Sequence, residues 1–168
     1  MIIAIAGVSQ AGKSTLASKL RKHLGHFNTT ILCQDEYVHE IGKIPQINGH
    51  VNWEHPDSID HEKLRQAIEA ASHASDYVIV EGLMMFWDEA TRKLFDRCIF
   101  LEIDKQTFIR RKSVDDRWGI EPEWYIDHIW QSYLRFGQPP EGLSYLRLDG
   151  RHDIDELLVI SYIEHGNI

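Results

Sequence analysis

A glycine-rich octapeptide near the amino terminus constrains this chain more than any other feature. Residues 7–14 read Gly-Val-Ser-Gln-Ala-Gly-Lys-Ser and match the pattern G-x-x-x-x-G-K-[ST] at every fixed position. Residues 2–6 form an apolar run typical of a short buried strand, and residues 15–24 carry apolar side chains at helical spacing. A strand, a glycine loop and a helix N-terminus in this order predict a phosphate-binding loop (P-loop) rather than an ordinary glycine-rich turn.

The residue types of this loop suit a nucleoside triphosphate. Glycines let the backbone wrap closely around phosphates, and the free N–H groups at the helix start attract anions. We expect Lys13 to reach the terminal phosphates and to act in catalysis, and the Ser14 hydroxyl to ligate Mg²⁺. ATP and Mg²⁺ are thus the expected cofactors. The expected nucleotide-binding residues are Gly7, Val8, Ser9, Gln10, Ala11, Gly12, Lys13, Ser14 and Thr15.

Composition excludes several other function classes. The net charge of −8 argues against a nucleic-acid or anionic-membrane surface, and no apolar run approaches the ~20 residues of a membrane span. Met1 leads directly into an apolar run, so we expect no signal peptide and a cytoplasmic location. Cys33 and Cys98 are isolated and are expected to be reduced core residues, and the ten histidines lack metal-ligand spacing. We expect one domain over residues 1–168, as a monomer or a homodimer.

Strands and helices alternate along the chain. Beyond the P-loop, apolar runs predict strands at residues 30–33, 77–80, 98–103 and 143–148. The residues expected to begin the intervening helices are Asp60, Asp88, Asp104, Pro122 and Asp153. This order predicts an α/β fold of three layers, with a five-stranded parallel sheet and helices on both faces. The loop up to about residue 59 is too long for a mere connector, which indicates a function.

Acidic residues follow two of the predicted strands. Asp35 comes soon after the second strand and Glu81 directly after the third, and ligands of such sheets bind at the carboxyl ends of the strands. Beside a P-loop, one carboxylate would serve Mg²⁺ and the other would accept a proton from an attacking hydroxyl. The alternative for either residue is a solvated strand end.

Several segments in order carry a resemblance to a known family. They are Q-D-E-Y at residues 34–37, W-E-H-P-D at 53–57, V-E-G-L-M-M-F at 80–86, R-R-K-S at 110–113 and H-I-W-Q-S-Y-L-R-F at 128–136. With the P-loop, they make residues 2–150 resemble the uridine kinase-like branch of P-loop kinases. Within that branch the chain is most similar to the nicotinamide riboside kinases.

The resemblance implies roles for the residues of the acceptor side. Asp35 matches the general base that takes the proton of the ribose 5′-hydroxyl, and Glu81 matches the acid that supports Mg²⁺. Glu54 stands where the family has an Asp that binds the ribose hydroxyls. Trp53 and Trp118 fall near aromatic rings that surround the base. The alternative for a tryptophan is core packing, which we expect for Trp87, Trp124 and Trp130.

The basic segment at residues 110–117 resembles the family's lid, which would span about residues 105–121. Its cations could neutralise the transferred phosphoryl group, although a solvated helix face is the alternative. We expect Arg110 and Arg111 to contact the nucleotide, and Lys112 and Arg117 to contact the substrate.

Together these features predict a kinase that phosphorylates the 5′-hydroxyl of a nucleoside-like small molecule. Nicotinamide riboside is the leading acceptor, which would place the enzyme in NAD biosynthesis; uridine, cytidine or another small alcohol is the alternative. A regulatory GTPase-like switch fits less well, because the chain lacks an N/T-K-x-D motif and its third strand ends in E-G rather than D-x-x-G. A binding module without turnover is a further alternative.

Overall fold

Five parallel strands form the main sheet. The computed structural model describes residues 1–115 and 121–166. In chain order the strands are β1 (Ile2–Gly7), β2 (Thr29–Cys33), β3 (Gln46–Ile47), β4 (His50–Val51), β5 (Tyr77–Gly82), β6 (Arg97–Glu102) and β7 (Leu146–Asp149). The helices are α1 (Lys13–His23), α2 (His61–Ala74), α3 (Glu89–Arg92), α4 (Lys105–Lys112), α5 (Glu123–Phe136) and α6 (Glu156–His165). The main sheet has the order β2-β5-β1-β6-β7, and β3 pairs with β4 separately.

Both faces of the sheet are covered. Residues 3–6 of the central strand β1 are fully buried, and successive strand side chains point to opposite faces. A strand that is apolar at every position is typical of a parallel sheet between two layers of helices. Ion pairs from Lys19 to Glu156 (3.0 Å) and from Lys105 to Asp127 (2.6 Å) join α1 to α6 and α4 to α5. The predicted α/β fold with a five-stranded parallel sheet is confirmed.

Most helix starts lie where the sequence predicts them. Carboxylates of Asp60, Asp88 and Asp104 accept backbone N–H groups three residues ahead at 2.7–3.0 Å, and Pro122 precedes α5. The predicted start of α6 at Asp153 is wrong, because the carboxylate of Asp155 is the one that accepts the first N–H groups, from Leu157 and Leu158. The last strand also begins later than predicted, at the first residue that pairs with β6.

The long segment after β2 contains a small hairpin. Strands β3 and β4 are antiparallel, and Asn48 and Gly49 between them have φ of 49° and 77°. Two positive φ angles in a row are what a two-residue hairpin turn requires, and Asn-Gly is the usual pair. Asn48-Gly49 is therefore the sequence signal for this hairpin, which lies in the segment predicted to be a loop. Within the described ranges, no helix is long and apolar enough to cross a membrane.

Candidate active site

The P-loop joins β1 to α1 and turns where only glycine fits. Gly7 has φ of +151°, and a Cβ at this position would lie 2.4 Å from the carbonyl oxygen of Leu101 on β6. Gly12 is the N-cap of α1 with φ of +100°. These left-handed conformations explain the two fixed glycines of the motif. The loop thus packs directly against the sheet and ends at a helix N-terminus, which is a ready anion-binding site.

Lys13 begins α1, and its ammonium group folds back over the loop. Its Nζ donates a hydrogen bond to the carbonyl oxygen of Val8 at 3.1 Å. Val8 and Ala11 are buried, so their side chains anchor the loop in the core, whereas Ser9 and Gln10 are partly exposed and Thr15 is exposed. The ammonium group therefore lies beside the backbone that would surround the phosphates.

Ser14 and Glu81 form a pair at the strand ends. The Ser14 hydroxyl donates to Glu81 Oε1 at 2.7 Å, and Glu81 is only 4% exposed on β5, opposite Ile5 of β1. A hydroxyl and a carboxylate oxygen are hard ligands of the kind that Mg²⁺ shares with phosphates and water. The pair therefore fits the predicted magnesium site. Across the described part of the chain, no group of three His, Cys, Asp or Glu side chains is placed to hold a metal by itself.

Asp35 lies at the neighbouring strand end. It is exposed in a short 3-10 turn (Gln34–Glu36) directly after β2, whose last residue, Cys33, pairs with Glu81 across the sheet. Burial, with the negative charges of Asp35 and Glu81, raises the pKa of the Cys33 thiol to about 12. Burial likewise raises the pKa of Cys98 to about 11. Both cysteines are free thiols; Cys98 is buried in the core as predicted, whereas the prediction of a core position is wrong for Cys33, which is only half-buried.

A buried glutamine fixes the turn that carries Asp35. The Gln34 side chain accepts a hydrogen bond from the backbone N–H of Met84 at 2.9 Å. A Cβ at Gly82 would lie 2.5 Å from Gln34 Cβ, so Gly82 makes room for this side chain. The burial of Gln34 could not be predicted, since a polar residue after a strand gives no local sign that it is buried.

The segment that carries Trp53 rests on α5. The Trp53 N–H donates to the Tyr125 hydroxyl at 3.3 Å, and Asn52 Oδ1 lies 2.8 Å from His128 Nε2. Burial lowers the pKa of His128, helped by the charge of nearby His55. Trp53 is 40% exposed and is therefore accessible from solvent. Tyr125 and His128 were missed as supports, although His128 opens one of the segments that carry the resemblance.

The Glu54 carboxyl group has a raised pKa. Burial raises its pKa from 4.5 to about 7, and the negative charges of Asp35 and Glu121 add to this effect. Lys112 and Lys13 act in the opposite direction. Glu54 therefore shares one electrostatic environment with the predicted base and with the P-loop lysine.

The cations of the basic segment differ in their surroundings. Arg110 is exposed at the end of α4. Arg111 Nη1 donates to the carbonyl oxygens of Gln10 (3.0 Å) and Gly150 (2.9 Å). Lys112 is only 6% exposed and lies 2.9 Å from Glu121 Oε2. Arg117 and Trp118 lie outside the described residues.

The remaining tryptophans only partly follow the expected core packing. Trp124 and Trp130 are partly buried against the core. Trp87 is 48% exposed, so the expectation of core packing is wrong there. Its ring contacts Phe136 edge-on at 5.0 Å, and its place in the chain after an apolar run gave no indication of the exposed face.

Comparisons with known proteins identify a family and several relatives of this chain. The family model described as "AAA domain" matches residues 3–117. Nicotinamide riboside kinase 1 of Homo sapiens is 28% identical over 180 residues, covering 96% of this chain and 89% of that protein. Uridine kinase of Chlamydia pneumoniae is 27% identical over 165 residues, covering 83% and 73%.

The fold also matches solved structures. A possible uridine kinase from Bacillus stearothermophilus superposes with a TM-score of 0.58 at 18% identity, covering 88% of each chain. At this identity the likeness supports the fold alone, whereas the sequence relatives carry the activity class. The chain therefore belongs to the AAA domain family, and its kinase relatives identify it as a P-loop phosphotransferase.

Proposed function

We propose that this protein transfers the γ-phosphoryl group of ATP to the 5′-hydroxyl of a nucleoside-like acceptor, most specifically nicotinamide riboside. One observation carries the proposal: the P-loop with its Ser14–Glu81 pair and the acidic residue Asp35 lie at the carboxyl ends of three adjacent strands. The P-loop and the Ser14–Glu81 pair fit a triphosphate with its magnesium ion, and Asp35 supplies a base for a hydroxyl acceptor.

The proposed chemistry follows from these positions. The P-loop N–H groups and Lys13 hold the β- and γ-phosphates, while Ser14 and Glu81 would hold Mg²⁺, which neutralises developing charge on the phosphates. Asp35 accepts the proton of the acceptor hydroxyl as its oxygen attacks phosphorus in line. The bond from phosphorus to the β–γ bridging oxygen breaks, and ADP leaves. Positioning and charge neutralisation supply most of the acceleration.

Two features favour a cationic acceptor base. The exposed Trp53 ring offers a stacking face, and the carboxyl group of the adjacent Glu54 can become negative beside a bound pyridinium. The sequence relatives include both nicotinamide riboside kinase and uridine kinase, so uridine or cytidine is the second candidate.

The test is a coupled ADP-release assay with the full chain and Mg-ATP. Nicotinamide riboside, uridine, cytidine and a buffer blank are compared for kcat/KM, with Asp35→Asn as the control for acceptor-dependent chemistry. We expect release to require an acceptor and to be fastest with nicotinamide riboside. Fastest release with uridine would establish the second candidate, and slow release independent of every acceptor would contradict both.

A further inference from the structure

One P-loop residue, Gln10, is held through its backbone by Arg111 near the end of α4 and through its side chain by Asp115, just after that helix. The Gln10 side chain donates from Nε2 to Asp115 Oδ2 at 2.5 Å, and the Gln10 carbonyl oxygen accepts from Arg111 Nη1 at 3.0 Å. These contacts join parts of the chain about a hundred residues apart. The two hydrogen bonds fix the Gln10 side chain and the peptide group between Gln10 and Ala11.

Gln10 needs such support because of its backbone conformation. Its φ is +65°, in the left-handed region that a residue with a side chain enters only at a cost in free energy. A strained residue of this kind persists where surrounding contacts hold it, and such residues concentrate at ligand-binding sites. The next residue, Ala11, donates its N–H to the Val8 carbonyl oxygen at 3.1 Å, so the direction of the loop's N–H groups depends on this turn.

The carboxylate that holds Gln10 is itself fixed. The Asp115 side chain is 7% exposed, and its Oδ2 lies 3.8 Å from Nζ of the buried Lys112. Lys112 is also 2.9 Å from Glu121 Oε2. Because a buried charge is costly unless it is paired, these ion pairs hold the Asp115 carboxylate where Gln10 can reach it.

We propose that Asp115 is a positioning residue for phosphoryl transfer, which holds Gln10 and thereby keeps the P-loop in its nucleotide-binding conformation. The inference rests on the proposed function and extends it. Asp115 acts through Gln10 and touches no phosphate. Arg111 has the same effect through the Gln10 carbonyl oxygen, so its contribution to nucleotide binding is indirect.

The test measures the Kd of Mg-ATP by isothermal titration calorimetry without an acceptor. The variants are Asp115→Ala, Gln10→Ala, the double variant and Asp115→Asn, with Gln131→Ala on the exposed side of α5 as the matched control. Each alanine variant should raise the Kd about tenfold, since hydrogen bonds to charged groups are among the stronger ones. The double variant should have the same Kd for Mg-ATP as either single variant, because each single substitution already removes the contact between Gln10 and Asp115.

Further measurements distinguish a positioning role of Asp115 from a general loss of protein stability. Asp115→Asn keeps an oxygen that can accept from Gln10 and should recover most of the affinity. The acceptor KM should stay at the wild-type value in every variant, while kcat/KM for ATP falls. Gln10→Ala keeps the inference testable even if Asp115→Ala does not fold.

The outcomes are distinct. A wild-type Kd for Gln10→Ala or Asp115→Ala, or losses that add in the double variant, would overturn the inference and leave the proposed function standing. A wild-type protein that binds no ATP would overturn the proposed function, and this inference with it.

Discussion

Replacing Glu54 by Gln should stabilise this protein at alkaline pH while weakening its acceptor binding. The Glu54 carboxyl group loses its proton at a pKa of about 7 rather than 4.5, because burial and then the charge of Asp35 disfavour the anion. Glutamine resembles the protonated form and has no proton to lose. The substitution therefore removes the cost of an anion in a partly buried place and leaves the shape of the side chain nearly unchanged.

The direction and size of this stability change follow from the linkage between proton binding and folding. Between pH 4.5 and about 7 the folded state holds a proton that the unfolded chain has lost, so the free energy of unfolding falls as pH rises through this window. The stabilising contribution of Glu54 is complete below pH 4.5 and is lost above about pH 7. The difference between the two pKa values corresponds to about 3 kcal/mol at most. Glu54→Gln should thus match wild type near pH 4.5 and exceed it by about 2–3 kcal/mol at pH 8.

Urea unfolding at pH 4.5, 6, 7 and 8 measures this difference. Glu69→Gln, on the exposed surface of α2, is the matched control and should change the free energy of unfolding little at any of these values. A constant difference between Glu54→Gln and wild type across the series would refute the reasoning. The same variant should raise the acceptor KM, more for nicotinamide riboside than for uridine, because an amide cannot attract a cationic ring.

Three further substitutions test the site. Lys13→Ala should lower kcat by about 10²–10³ and weaken ATP binding without unfolding the protein, measured by ADP release and thermal melting; near-normal turnover would contradict the P-loop assignment. Asp35→Asn should lower kcat by roughly 10²–10⁴ at an unchanged ATP Kd; full activity would leave another carboxylate as the base. Gly82→Ala should cost about 2–4 kcal/mol in urea unfolding, because its Cβ would overlap Gln34 and break a buried hydrogen bond. Gly42→Ala, which has open space around its Cβ, is the control, and equal losses in the two would contradict this packing argument.

The sequence predicted the sheet because each core strand is an apolar run bounded by polar residues. It predicted three helix starts because Asp60, Asp88 and Asp104 bond locally, three residues ahead. The predicted start of α6 at Asp153 was wrong for a related reason. Asp155, two residues later, can cap the helix equally well, and the sequence pattern does not distinguish the two residues. Local sequence patterns therefore predict where helices and strands lie, but they do not determine which of two neighbouring residues is the N-cap.

The site was predictable where it depends on strand ends and unpredictable where it depends on packing between distant segments. Glu81 lies at the end of β5, and Ser14 follows the loop at the end of β1. The two side chains meet because parallel strands have their carboxyl ends at the same edge of the sheet, so this contact could be predicted from the order of the elements alone. The contacts of Trp53 with Tyr125 and of Gln10 with Asp115 span more than 70 residues. No local pattern encodes such pairs, and the contact of Arg111 with the P-loop backbone was likewise not predicted.

The placement of acids at this edge argues for function over stability. Burial and the charge of Asp35 destabilise ionised Glu54, and burial with the charges of Asp35 and Glu81 disfavours the Cys33 thiolate, so negative charge is concentrated in this part of the molecule. A protein selected for stability alone would replace Glu54 by a neutral side chain, as the linkage argument indicates. Retaining it is consistent with chemistry that needs carboxylates there: one for the metal, one for the proton and one for the acceptor. The P-loop beside them supplies the opposite charge through Lys13 and the N-terminus of α1, so under the proposed function phosphate and acceptor would meet where the two charge distributions adjoin.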